Sequence, residues 1–216
     1  MTAASYEIRL CMNCGLRYPL TKGHPFGVRC PVCLGETRVV LSRKLVTEPN
    51  HTPSPSSKGR RESAVLLDNI RSAWNVGSIL RSADGFGFSH AYLCGITPTP
   101  EQDKVQKTSL GAEESVTWSY HKDAVKLAKG LKKEGWRVWA LEEDKRAVNI
   151  QGADTKRSNR ENTVLIVGNE VTGVDPGLLN LADQIFCIPM CGSKRSFNVA
   201  VAFGIALAML GRQASD

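Results

Sequence analysis

Apolar and polar positions alternate in two registers through residues 63–216. Ala64–Leu67 is a short apolar run of strand length, and Ala91–Cys94 is another. Thr163–Val167 is apolar without interruption, the pattern of a strand buried on both faces. Arg137–Leu141, closely following Gly135, and Gln184–Ile188 complete the predicted strands. Between them the period lengthens. Asn75–Gly85 reads as a helix, and His121–Glu134 places Ala124, Val125, Leu127, Ala128 and Leu131 on one helical face. Pro176–Leu181 reads as a short helix with proline in its first turn. Ser196–Leu210 reads as a helix with Ser196 as its N-cap. Strands alternating with helices imply an α/β layer fold around a mostly parallel sheet.

The last predicted helix is apolar nearly all round, from Phe197 through Leu210. One sheet covers one side of a helix, so the other side needs a second cover. Burial within the chain is one solution; a twin subunit, giving a homodimer through this helix, is the one we expect. The stretch is 14 residues long, short of the ~20 that span a bilayer, and no basic, then apolar, leader opens the sequence. No membrane association and a cytoplasmic location are therefore expected.

The first 62 residues have another character. Residues 47–62, TEPNHTPSPSSKGRRE, hold no aliphatic side chain, so 46–62 is read as a flexible linker. It separates a module, 1–45, from the α/β domain, 63–216. Net charge is +7. Residues 1–62 carry ten Lys/Arg and four Asp/Glu, so +6 of that excess is N-terminal. A basic module beside a nearly neutral domain fits a polyanionic partner, although a solubilising tail explains charge alone equally well.

Seven cysteines are an odd number, and without a leader they argue against a disulfide framework. Cys11, Cys14, Cys30 and Cys33 form CxxC-x15-CxxC. Two such turns bring four thiolates to one tetrahedral ion, so a structural zinc ribbon is expected; a redox dithiol pair is the lesser alternative. Arg9, Arg17, Lys22, Arg29, Arg38, Arg43 and Lys44, with Tyr6, Tyr18 and Phe26 interleaved, favour docking of nucleic acid over a bare scaffold.

The α/β part has no Walker A loop, GxGxxG, HExxH or GxSxG. His90 and His121 stand alone in the sequence and read as surface or turn residues. Three polar blocks follow strands instead: LLDNIRSAWNVGSILRSADGFGF (66–88), LIVGNEVTGVD (165–175) and IPMCGSKRSFNVAVA (188–202). Polar loops beyond strand ends, beside bare helix N-termini, are where α/β folds hold ligands. Taken singly, each block could be turn chemistry.

The three blocks together resemble the signature motifs of the SpoU (TrmH) family of RNA ribose 2'-O-methyltransferases in the SPOUT superfamily. Asn75, Gly77 and Arg81 match N-x-G-x-x-x-R. Gly168, Glu170 and Gly173 match G-x-E-x-x-G. Ile188 through Gly192, Ser196, Asn198 and Val199 match I-P-M-x-G-x-x-x-S-x-N-V, with Phe197 where the family usually has Leu. TSLGAEESV (108–116) resembles the family segment between the first two motifs. The resemblance covers about 64–212 and does not include the ribbon. It implies a C-terminal trefoil knot, a homodimer, and S-adenosylmethionine bound through Leu141, Gly168, Ile188, Met190, Ser196 and Phe197. It implies Arg81 as the central catalytic residue, assisted by Asn75, Glu170, Ser196 and Asn198. A guanidinium stays protonated at neutral pH, so Arg81 acts either as an awkward general base or as a clamp on phosphate. The acceptor implied is a 2'-hydroxyl of tRNA or rRNA. Two alternatives stay open: an inactive RNA-binding protein on this scaffold, and methyl transfer to an RNA base.

Overall fold

The computed structural model describes residues 5–24, 27–44, 62–152, 161–193 and 196–211. The linker expected over 46–62 falls outside these except for Glu62, and so does Phe26. Two compact units divide the chain, Met1–Ser54 and Pro55–Asp216.

The first unit is a three-stranded antiparallel sheet. Strand β1 (Ser5–Cys11) lies between β2 (Arg17–Thr21) and β3 (Thr37–Lys44). The register of β1 with β3 shifts between Ile8 and Arg9, so one residue of β3 bulges out. Both cysteine pairs sit in tight turns. Gly15, at φ 75°, turns the first, and Leu34, at φ 57°, turns the second.

The second unit is built on a seven-stranded sheet in the order β6-β5-β4-β9-β7-β10-β8, parallel at every pairing. Its strands are β4 (Ser63–Asp68), β5 (His90–Cys94), β6 (Thr117–His121), β7 (Arg137–Leu141), β8 (Val148–Asn149), β9 (Thr163–Val167) and β10 (Gln184–Cys187). Central β4 and β9 show why an uninterrupted apolar run makes such a strand. Val65, Leu67, Leu165 and Val167 face one core, with Ile79, Leu80 and Phe203. Ala64, Leu66, Val164 and Ile166 face the other, with Ala128, Leu131 and Leu178. Burying each large side chain is worth about 1.5–3 kcal/mol, so the two central strands anchor both layers.

Helices α1 (Ala73–Gly85) and α6 (Val199–Gly211) cover the first face; α4 (Ala124–Lys133) and α5 (Pro176–Leu181) cover the second. Between β5 and β6 lie α2 (Asp103–Ser109) and α3 (Ala112–Ser115). Among the described residues no helix is long and apolar enough to cross a membrane.

Several sequence-based bounds are corrected. His121 ends β6 instead of opening a helix; α4 starts at Ala124, where Asp123 accepts the Lys126 amide. Helix α1 begins two residues before Asn75, capped by Ser72. Helix α6 begins at Val199, and its cap is Asn198, not Ser196: the Asn198 side-chain oxygen accepts the amides of Ala200 (2.9 Å) and Val201 (3.4 Å).

Candidate functional site

The order of the strands determines where the polar blocks meet. From β4 the chain runs outward to β5 and β6, crosses to β7 and β8 in the other half of the sheet, and then forms β9 against the other side of β4. Loops leaving β4 and β9 are therefore neighbours at a topological switch point, the usual place for a ligand in such sheets. The carboxylate of Glu170, beyond β9, accepts the backbone amides of Arg71 (2.9 Å) and Ser72 (3.1 Å), beyond β4. It also accepts Asn75 Nδ2 at 2.8 Å. The Asn75 side-chain oxygen in turn accepts Asn198 Nδ2 at 3.0 Å. One hydrogen-bonded chain thus joins all three sequence blocks, Glu170–Asn75–Asn198, and ends on the amides that open α6. With both ends of its amide occupied, Asn75 has one orientation.

Desolvation pushes the Glu170 carboxyl upward, but the hydrogen bonds from Arg71, Asn75 and Ser72 outweigh it. Its net pKa lies below the ordinary glutamate value. Glu170 is therefore an anion committed to holding the α1 N-terminus and Asn75. Asp68, at the end of β4, is 2 % exposed. Its burial raises the pKa, against hydrogen bonds from the Asp175 amide (2.8 Å) and Asn69 Nδ2 (2.8 Å).

Glycines of the motifs have packing reasons that the sequence did not reveal. A Cβ at Gly168 would lie 2.3 Å from the Val174 amide nitrogen and 2.4 Å from the Gly173 carbonyl carbon. The loop folds back on itself there, pinned by an Asn169–Gly173 bridge and by Glu142, which accepts the Val174 amide at 2.8 Å. Gly77 lies where α1 meets α2: a Cβ would come within 2.0 Å of Thr108 Oγ1 and 2.4 Å of the Val105 carbonyl oxygen.

The other expected residues are placed as follows. Leu141, Gly168 and Ile188 sit at or just beyond the ends of β7, β9 and β10. Those strands are successive neighbours, in the order β9-β7-β10, so the three loops lie side by side. Leu141 and Ile188 are half-buried against the core below, and Met190 is half-buried. Ser196 and Phe197 are exposed, Phe197 at 40 %. An apolar floor beneath backbone groups suits a flat, largely uncharged ligand part such as adenine. Arg81 is exposed on α1 and has no hydrogen bond or ion pair among the described residues. It lies six positions after Asn75 on the helix, about 120° around the axis, so the Glu170–Asn75–Asn198 chain does not reach it.

Sequence reasoning missed Arg71 and Ser72, which act through backbone amides, and Glu142, which holds the second loop by accepting the Val174 amide. It also read His90 and His121 as isolated. Parallel pairing of β5 with β6 joins them through Ser119 Oγ, 2.8 Å from His90 Nε2 and 2.9 Å from His121 Nε2.

In the first unit the Sγ atoms of Cys11, Cys14, Cys30 and Cys33 all lie within 4.8 Å of one another. Cys11 to Cys33 is 3.5 Å and Cys14 to Cys30 is 3.7 Å. Sulfurs at ~2.3 Å around tetrahedral zinc lie about 3.8 Å apart, so the donor set fits that ion. Amides of Asn13 and Cys14 point at Cys11 Sγ (3.4 Å each), and the Val32 amide at Cys30 Sγ (3.4 Å). The Gly35 amide holds the Cys33 thiol down at about 6. A Cβ at Gly35 would stand 2.6 Å from Asn13 Cβ, besides 3.2 Å from Cys33 Sγ and 3.3 Å from Cys11 Sγ, so the cradle leaves no room for one.

The second unit is thus an α/β domain whose polar loops meet at the carboxyl edge of a parallel sheet, joined by one hydrogen-bonded chain. Residues 62–208 match the SpoU rRNA Methylase family, and the chain belongs to it. It is 30% identical over 167 residues to the tRNA (guanosine(18)-2'-O)-methyltransferase of Aquifex aeolicus, covering 74% of this chain and 73% of that one. Its identity to the enzyme of the same name from Thermus thermophilus is 33% over 151 residues, 69% of this chain and 74% of the other. The AdoMet-bound rRNA methyltransferase from Sinorhizobium meliloti superposes with a TM-score of 0.66 at 27% identity, over 73% of this chain. The match spans 58% of that longer protein.

Proposed function

We propose that the chain is an S-adenosylmethionine-dependent methyltransferase acting on a ribose 2'-hydroxyl of tRNA or rRNA. The observation that carries the reading is the chain Glu170–Asn75–Asn198, which joins three family motifs at one edge of the sheet. Bound S-adenosylmethionine supplies a methyl group already activated on a sulfonium. Leu141, Gly168, Ile188, Met190, Ser196 and Phe197 would hold it, mostly by backbone and apolar contact. What is left for the protein is to orient the acceptor and favour loss of its proton.

Arg81, unpartnered among the described residues, is suited to grip the phosphate next to the reacting ribose. A cation there favours the anionic form of the neighbouring hydroxyl. Asn75 borders the acceptor position; Glu170 and Asn198 fix it, and Ser196 lies beside the opening of α6. A 2'-hydroxyl exists only in RNA, which makes it the feature to be read.

The same proposal includes a C-terminal trefoil knot, a 1–45 ribbon and 46–62 linker before the 63–216 enzyme domain, one structural zinc on the four cysteines, a homodimer through α6 and a cytoplasmic location. It draws support from the family motifs, the sulfur geometry and the exposed outer side of α6.

The test is methyl transfer from labelled S-adenosylmethionine to total RNA, followed by digestion to nucleosides. Label on a ribose 2'-oxygen is expected, and Arg81→Ala should abolish it with cofactor binding near normal. Label on a base would make the protein a base methyltransferase. No label and no cofactor binding would leave an RNA-binding protein on this scaffold.

A further inference from the structure

The antiparallel register of the ribbon sheet sorts its side chains onto two faces. Glu7, Arg9 and Cys11 of β1 share one face with Leu20, Tyr18, Thr37, Val39 and Ser42 of its neighbours. That face is covered around Gly27 and the cysteines, while Val39 and Ser42 of β3 stay exposed. Thr37 Oγ1 and the Arg9 guanidinium both donate to the Gly27 carbonyl, Arg9 pairs with Glu7 at 3.8 Å, and Cys11 joins the sulfur cluster.

The opposite face is bare and is arranged in three rows. Arg17, Leu10 and Arg38 lie abreast; then Pro19, Ile8 and Leu41; then Thr21, Tyr6 and Arg43. Every edge-strand member is exposed and the central three are half-buried. Neighbouring strands lie about 4.8 Å apart, so Arg17 and Arg38 stand about 10 Å apart across Leu10, and Tyr6 lies about 13 Å further along. Of the two acidic residues in 5–44, Glu7 is on the covered face and Glu36 is outside the strands. Three guanidiniums therefore border an apolar strip ending in a tyrosine, with no carboxylate among them. Among the described residues none of the three arginines has an ion-pair partner.

We propose that this face docks an unpaired segment of RNA: Arg17, Arg38 and Arg43 take phosphates, and a base stacks on Tyr6. The charge complements a polyanion and nothing on the face repels one. The flat apolar strip with an aromatic ring favours splayed bases over a duplex, whose bases are stacked inside. The proposal rests on the reading of RNA as the substrate class and adds a second, non-catalytic contact to it.

The experiment uses the full-length, zinc-loaded protein and a fluorescein-labelled single-stranded oligouridine, with affinity followed by anisotropy across a salt series. Each lost phosphate contact lowers the log–log salt slope by ~0.7 on a single strand. Arg17→Ala, Arg38→Ala and Arg43→Ala together should lower it by about 2 and weaken binding about 50-fold at 0.15 M salt. Lysine at the same three positions should retain the slope. Tyr6→Ala should lose about tenfold with the slope unchanged, and Tyr6→Phe should recover it. Lys22→Ala with Lys44→Ala, two cations off this face, should change the slope by less than the three arginines do. Zinc content of each variant checks that the ribbon is intact.

Wild-type protein that does not bind the oligouridine, a triple alanine variant that binds like wild type, or an off-face pair that loses as much would each overturn the proposal. So would a duplex of the same length binding as tightly through this face. These readouts need no methyl transfer. Loss of binding in the face variants with no transfer to any RNA would overturn the catalytic reading and leave the docking face standing.

Discussion

At the scale of single residues, Glu170 carries the largest share of the site's order. It satisfies two amides at the open end of α1, where helix donors have no partner of their own, and fixes Asn75. Removing a comparable helix-terminal acceptor costs about 0.5–2 kcal/mol. Glu170→Ala should lose about that much in urea unfolding, and Glu170→Gln somewhat less. The pH dependence has a definite sign. The folded-state pKa is lowered, so the stabilisation is complete above the ordinary glutamate value of about 4.3 and is lost as pH falls through the folded value. The gap between wild type and Glu170→Gln should therefore be widest near neutrality and close in acid. A gap that stays constant from neutral to acid pH would show that the charge of Glu170 is not what stabilises α1. Asn75, Glu170 and Asn198 were legible in the sequence because chemistry there resides in side chains at fixed spacings. Arg71 and Ser72 were not, because a backbone amide donates alike from every residue type but proline.

At the scale of elements, the contact between α1 and α2 explains a glycine that helix propensity alone would discourage. Replacing a helical glycine by alanine ordinarily gains up to about 1 kcal/mol. At Gly77 the new methyl would collide with the Val105 carbonyl, which is backbone and cannot swing aside, as well as with Thr108 Oγ1. Overpacking of this kind costs about 1–3 kcal/mol and should win. Gly77→Ala should lower the thermal midpoint by a few degrees, whereas Gly85→Ala, with nothing within 4 Å, should leave it level or raise it. Equal behaviour of the two variants would mean that α2 is free to move away. This pairing also accounts for which elements the sequence revealed. Strands β4 and β9 announce themselves because both faces are buried. Strand β6, TWSYH, lies at the sheet edge with exposed and half-exposed positions and carries no such run. Helix α2, DKVQKTS, buries only Val105 and Ser109, too little to write an apolar stripe.

At the scale of the whole molecule, strand order does what local pattern cannot: it brings residues 75, 170 and 198 together across more than a hundred positions of chain. Their meeting was legible only through the family motifs, since no periodicity encodes the order in which strands lie in a sheet. The all-round apolar character of α6 is likewise resolved only by the fold. Phe203, Ala206, Leu207 and Leu210 are buried within the chain. Val201, Ile205 and Ala208, spaced i, i+4, i+7 on another side, are exposed or half-buried, with Val201 at 52 %. A stripe of that spacing suits a second helix, and a twin copy offers the same stripe to itself about a two-fold axis. A carboxylate there would cost little in an isolated chain but would be buried unpaired in such an interface. In the proposed homodimer, Val201→Glu should therefore yield a monomer in sedimentation equilibrium where the wild type is a dimer, with far-ultraviolet circular dichroism unchanged. If the variant sediments as the wild type does, the outer side of α6 is not where two copies meet.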